Sequence, residues 1–115
     1  MSKWEKNLKF YDELVARNPH FERLGKTMPY TAANTHMFSL LNKAGELGIR
    51  LSKESGEAFK AKHNTTEFKS YGATMRGYVL IPEHLFDNLE FLDQTLEEAY
   101  QFVMALQPNP RKGKK

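Results

Sequence analysis

The chain has 115 residues, 40% hydrophobic and 12% aromatic, which suits one folded domain and is too short for two. There is no cysteine, which excludes disulfides, thiolate metal sites and cysteine nucleophiles. The formal charge of +3 is uneven: it becomes −1 once Arg111, Lys112, Lys114 and Lys115 are set aside, so the basic character belongs to the tail rather than to a folded basic face.

Met1-Ser2-Lys3-Trp4-Glu5-Lys6-Asn7 leads into no apolar stretch, so no signal peptide is expected. No run approaches the ~20 apolar residues of a membrane span. A reducing, cytoplasmic setting is the expectation. Ser2-Lys3-Trp4-Glu5 has the form of a capping box. Trp4, Leu8, Tyr11 and Val15 then recur at helical spacing, with Leu14 widening the stripe. Asn18-Pro19 stops this helix, predicted over Lys3 to Arg17. From Leu24 to Tyr30 the chain suits a short edge strand, where Pro29 is tolerated, and Asn34-Thr35 suits a turn.

Met37 to Leu41 and Leu47 to Leu51 flank Asn42-Lys43-Ala44-Gly45 and predict a hairpin. In its second strand Leu47, Ile49 and Leu51 share one face, and Arg50 points to the other. Ser52 is placed to cap a helix ending near His63, weakened at Gly56 and closed by Asn64-Thr65-Thr66. Glu67 to Lys69 predicts a short strand, Tyr71-Gly72 a turn, and Met75 to Ile81 a longer strand stopped by Pro82. Pro82 to Phe86 fits one helical turn. Asp87-Asn88-Leu89-Glu90 reads as an acidic capping box before the longest helix. That helix carries Leu89, Leu92, Leu96, Ala99, Tyr100, Val103 and Leu106 at unbroken three-to-four spacing and stops before Pro108.

The order is α-β-β-β-α-β-β-α. It predicts an α+β, two-layer domain over residues 1–107: a curved antiparallel sheet of about five strands with helices packed on it. Residues 108–115 are expected to form a basic, disordered tail.

The chemistry-bearing residues form no familiar constellation. His20, His36, His63 and His84 lack metal-ligand spacing, and the phosphate-cradling glycine loops are absent. No catalytic residue, cofactor or metal site is nominated. Glu97-Glu98 reads as a solvated helix face. One group stands out by position. Tyr30, Asn34, His36, Arg50, Arg76 and Tyr78 lie on or beside predicted strands and would form an anion-accepting sheet face or groove. The plainer alternative is arginines on the solvent side of a one-sided sheet with tyrosines at its edge. The tail cations Arg111, Lys112, Lys114 and Lys115 would give weak, salt-dependent nucleic-acid contacts.

Taken together, Met28-Pro29-Tyr30, Asn34, Met37-Phe38 and Gly45-x-Leu47-x-Ile49-Arg50-Leu51-x-Lys53-Glu54 resemble the TfoX/Sxy N-terminal domain family. So do Ala58-Phe59, Phe68, Gly72, Met75, Tyr78-Val79-x-Ile81-Pro82 and the closing helix with Tyr100, Leu106, Pro108 and Pro110, in the manner of small stand-alone members. The resemblance implies a secretion-chaperone-like fold and a regulatory, non-enzymatic role, since named members act with a cyclic-AMP receptor protein in competence gene regulation. It also implies a protein partner. Monomer and homodimer are both open from the sequence. The leading expectation is an interaction module; the alternatives are a nucleic-acid binder using the tail with Arg50 and Arg76, and a small-ligand binder or enzyme at a sheet-face groove.

Overall fold

A computed structural model describes residues 2–70 and 72–108. Helix α1 (Lys3–Ala16) begins as its sequence dictates. The Ser2 hydroxyl accepts from the Glu5 amide at 3.1 Å, and the Glu5 carboxylate accepts from the Ser2 amide at 3.1 Å. Tyr11, Leu14 and Val15 form its buried stripe. The strands are β1 (Tyr30–Ala33), β2 (His36–Leu41) and β3 (Leu47–Arg50), then β4 (Glu67–Ser70) and β5 (Ala73–Leu80). Helix α2 (Lys53–His63) lies between β3 and β4, and helix α3 (Leu89–Met104) closes the described chain. The fold is α+β, an open five-stranded antiparallel sheet in the order β1-β2-β3-β5-β4. Element order follows the expected α-β-β-β-α-β-β-α.

Two local expectations are corrected. The edge strand is Tyr30–Ala33, not Leu24 to Tyr30. Gly25 turns the chain at φ +79, and proline at 29 has no amide to offer a ladder, so Leu24 meets Tyr30 only through one isolated bridge. At α3 the cap is Asn88, not Asp87. The Asn88 side chain accepts from the Phe91 amide at 3.1 Å, while Asp87 ends a 3-10 helix over Glu83–Asp87. Asparagine is as good a cap as aspartate, and the 3-10 helix consumes the residue before it. Glu90 then has no capping role and is exposed.

All three α-helices contribute to one core. Leu41, Leu47, Ile49, Leu51, Val79 and Ile81 from the sheet side meet Tyr11, Leu14, Phe59, Leu92, Leu96 and Val103 from the helices. A β-bulge helps: the β1–β2 register passes from Ser39 to Met37, skipping Phe38. Phe38 and Ser39 consequently both face the helices, Phe38 into the core and Ser39 onto the Tyr11 hydroxyl. The opposite sheet face holds a second, smaller cluster of Leu40, Phe68 and Tyr78, flanked by Met28, Tyr30, Met37, Met75 and Leu80. Phe68 of β4 reaches over β5 to β3, where a methyl on Gly48 would overlap its ring. Among the described residues no helix is long and apolar enough to cross a membrane.

Candidate functional site

The six residues singled out in the sequence separate into three environments. Asn34 sits in the tight turn between β1 and β2 with φ +53. Its side-chain amide donates to the Val103 carbonyl at 2.8 Å and the Leu106 carbonyl at 2.7 Å. Helix C-termini leave carbonyls without intrahelical partners, and Asn34 supplies the donors. His36 continues this contact, with Nε2 2.7 Å from the Gln107 carbonyl. The two residues clamp the end of α3 to the sheet. Tyr30 lies away from both the α3 clamp and the cleft, flanking the second cluster beside Leu40 and Phe68, a cluster that Tyr78 also joins.

Arg50, Arg76 and Tyr78 do come together. Arg50 ends β3 and pairs with Tyr78 on β5, and Arg76 lies two residues before Tyr78 at an irregular stretch of that strand. Gly77, at φ +85, makes the irregularity feasible and passes its carbonyl to the Leu51 amide at 3.0 Å. The first turns of α2 approach the same stretch. Between them lies a cleft of about 470 Å³, lined by Arg50, Leu51, Ser52, Lys53, Gly56, Glu57, Lys60, Glu67, Arg76, Gly77, Tyr78 and Val79.

The cleft is chemically uneven along its length. Arg50, Lys53 and Arg76 gather at the end where α2 begins. None of them makes an ion pair with another described residue. Arg50 does place its guanidinium 5.6 Å from the centroid of the Phe102 ring, a cation–π contact that limits where it can swing. At the other end Lys60 lies between two carboxylates, 3.4 Å from Glu57 and 3.7 Å from Glu67, tying α2 to β4. The floor is apolar, with Leu51 and Val79 against Gly56. Burial raises the Tyr78 hydroxyl to a pKa of about 12, against the opposing pull of Arg50, so it stays protonated and donates to the Met37 carbonyl at 2.8 Å. Tyr78 is a wall of the cleft, not an acid or base within it.

Lys53, Gly56 and Lys60 were not singled out as site residues from the sequence. Their spacing of three and then four places them on one helix face, and that was the available signal. The remaining histidines are dispersed. His20 contacts Glu97 at 3.1 Å and stacks on Tyr100. His63 lies against Phe59 and Phe91, and His84 is in the 3-10 helix. Glu97 is a correction to the solvated reading of that helix face. It is partly buried and accepts from Asn18 at 2.7 Å and from Gln101 at 2.8 Å, which joins α3 to the segment after α1. The tail cations Arg111, Lys112, Lys114 and Lys115 lie outside the described residues.

Compared with known proteins, the chain matches no family model, and no curated protein matches it.

Proposed function

We propose that this chain is a non-enzymatic binding module that receives an acidic group of its partner in the cleft between α2 and β5. The observation that carries this reading is the convergence of Arg50, Lys53 and Arg76 on one concavity without a carboxylate partner among the described residues. Like charges are costly to gather unless an anion offsets them. Two guanidinium groups favour a planar or tetrahedral oxyanion, because their donors match carboxylate and phosphate geometry. The TfoX-like order of motifs supports a regulatory setting for that binding, in a cytoplasmic protein with a protein partner.

The test is a titration of the 15N-labelled protein with inorganic phosphate and with a short acidic peptide. Amide shifts are expected to cluster at Arg50, Lys53 and Gly77 and to weaken as salt is raised. In an Arg50→Gln/Arg76→Gln double variant they are expected to disappear. Shifts scattered over the surface, or unchanged by the double substitution, would sink the proposal.

A further inference from the structure

Helices cover one face of the sheet. The second apolar cluster lies on the other face, and none of its residues belongs to a helix. Register lines part of this face up across the strands. Leu24 bridges Tyr30, Tyr30 pairs with Leu40, Leu40 with Gly48, and Gly48 with Leu80. Partners in an antiparallel ladder point to the same side, so these positions form one row. Leu40, Phe68 and Tyr78 are buried in the middle of the cluster, while Met28, Tyr30, Met37, Met75 and Leu80 around them stay partly exposed. Leu24, at the end of the row, is 37% exposed. The face is a shallow apolar dish with a wet rim. Three of the chain's five methionines stand in that rim, and methionine adapts its shape to what it meets.

The charge around the dish is mostly positive. At one end Arg50 pairs with Tyr78, and Arg76 lies two residues before Tyr78. At the other a hollow of about 360 Å³ brings Met28 together with Lys43 and Lys69. Both lysines are exposed, and neither forms an ion pair with a described residue. Glu46 shares that hollow and accepts from Asn42 Nδ2 at 3.1 Å. Glu67 of β4 is 3.7 Å from Lys60. A second copy laid face to face would set these cations against their own kind. A bilayer is entered by apolar side chains that project, and here the apolar residues are most buried at the centre. A helix is convex and narrow, and it can lie in a dish of this shape.

We propose that this face docks an amphipathic helix of a partner protein. Its apolar stripe would cover Tyr30, Met37, Met75 and Leu80, and its carboxylates would meet Arg50 and Arg76 at one end and Lys43 and Lys69 at the other. The proposal rests on the acid-binding function of the cleft and adds the nature of the partner: the acidic group received there is one end of this helix.

The probe is a peptide of about 18 residues, roughly 27 Å long as a helix, with leucines at three-to-four spacing and glutamates elsewhere. Its controls are a shuffled peptide of the same composition and a version with lysine at every glutamate. Calorimetry and the methionine methyl signals in NMR read the binding. The acidic helix is expected to bind about tenfold tighter than the shuffled peptide, a gain that covering roughly 60 Å² of apolar surface would supply. The lysine version is expected not to bind. The methyls of Met28, Met37 and Met75 should shift, and that of Met104, on α3 and outside the cluster, should not. Lys43→Glu with Lys69→Glu should weaken peptide binding about tenfold and leave the melting temperature and phosphate binding at Arg50 and Arg76 unchanged. Equal binding of the shuffled peptide, shifts centred on Met104, or full affinity in the charge-reversed variant would overturn the proposal. So would methionine shifts produced by phosphatidylglycerol vesicles or by raised protein concentration and not by the peptide, which would assign the face to a membrane or to a second copy. If the peptide fails while phosphate still binds through Arg50 and Arg76, the docking helix falls and acid binding stands. Failure of both overturns both.

Discussion

Two polar groups at the margins of the same sheet have opposite fates. Asn34 and His36 direct their side chains to carbonyls at the end of α3. Arg50, Lys53 and Arg76 stand together in a cleft and form no ion pair with any described residue. The first group is occupied by its own chain, and the second has its charge and most of its donors to offer. In the sequence the two look alike, as polar side chains on or near strands. A hydrogen bond donated within the protein is unavailable to a partner, so the difference separates side chains engaged in the fold from those that the proposed binding would use.

The comparison breaks most readily at Asn34. Substitution with alanine removes two good hydrogen bonds to helix-terminal carbonyls and, at φ +53, replaces a residue whose short polar side chain tolerates the left-handed region with one that does not. The expected loss is about 3 kcal/mol, roughly 1 for each bond and 1 for the left-handed backbone. Asn34→Gly relieves the backbone part and should cost about 2 kcal/mol. Urea denaturation of both variants measures the two contributions. Equal losses would show that the backbone adds nothing, and a loss below about 0.5 kcal/mol in either would mean the clamp is not structural.

A buried hydroxyl chain offers a second structural reference, of intermediate size. Tyr11 OH and Ser39 Oγ are 2.5 Å apart, and Ser39 Oγ is also 2.5 Å from Thr31 Oγ1. Burial raises the Tyr11 pKa well above that of a free phenol, so the group is a neutral hydroxyl throughout the accessible range. Tyr11→Phe should cost about 1–2 kcal/mol, because Ser39 loses one of two partners inside the core. Anion binding in the cleft should be untouched.

Acid should weaken the helix-side structure through His63. Its pKa lies below the ordinary value of 6.5, first because of burial and then because of the positive potential of Lys62 and His84. The unfolded chain therefore binds a proton more readily than the folded one. The neutral-imidazole contribution is complete above pH 6.5 and is lost as pH falls below that value toward the folded pKa. Melting temperatures at pH 7.5 and 5.5 should differ, and His63→Gln should shrink the difference. An unchanged difference would assign the acid sensitivity to other groups. Depressed carboxylates such as Glu83, held low by Lys3, act in the same direction but at lower pH.

The periodic elements were legible because their signals are local. The Ser2–Glu5 box, the stripe of α1, the β2–β3 pair and the spacing of α3 all depend on residues a few positions apart. Misplaced features depended on neighbours. Leu24 resembles a strand until Gly25 and Pro29 remove the geometry and the donor. Asp87 and Asn88 are both capping residues, and the preceding 3-10 helix decides between them. The cleft was half legible. Arg50, Arg76 and Tyr78 were selected by strand position, but Lys53 and Gly56 belong to a helix whose docking against β5 no local pattern encodes. Asn34 and His36 share the same strand-side pattern in the sequence, but the structure directs them to acceptors about 70 residues away in the chain, which no local pattern encodes.

The smallest expected effect is also the sharpest separation of the two groups. Arg76 is exposed and makes no ion pair with a described residue, so Arg76→Gln should change stability by less than about 0.5 kcal/mol. The sign is expected to be neutral to slightly stabilising, since a like charge leaves the company of Arg50 and Lys53. Arg50→Gln should cost a little more, up to about 1 kcal/mol, because it gives up the contact with Phe102. Near-silence in stability combined with lost phosphate binding is the signature of residues held for a partner. If instead Arg76→Gln destabilises the fold as Asn34→Ala does, the cations have internal work, and the contrast between clamp and cleft collapses.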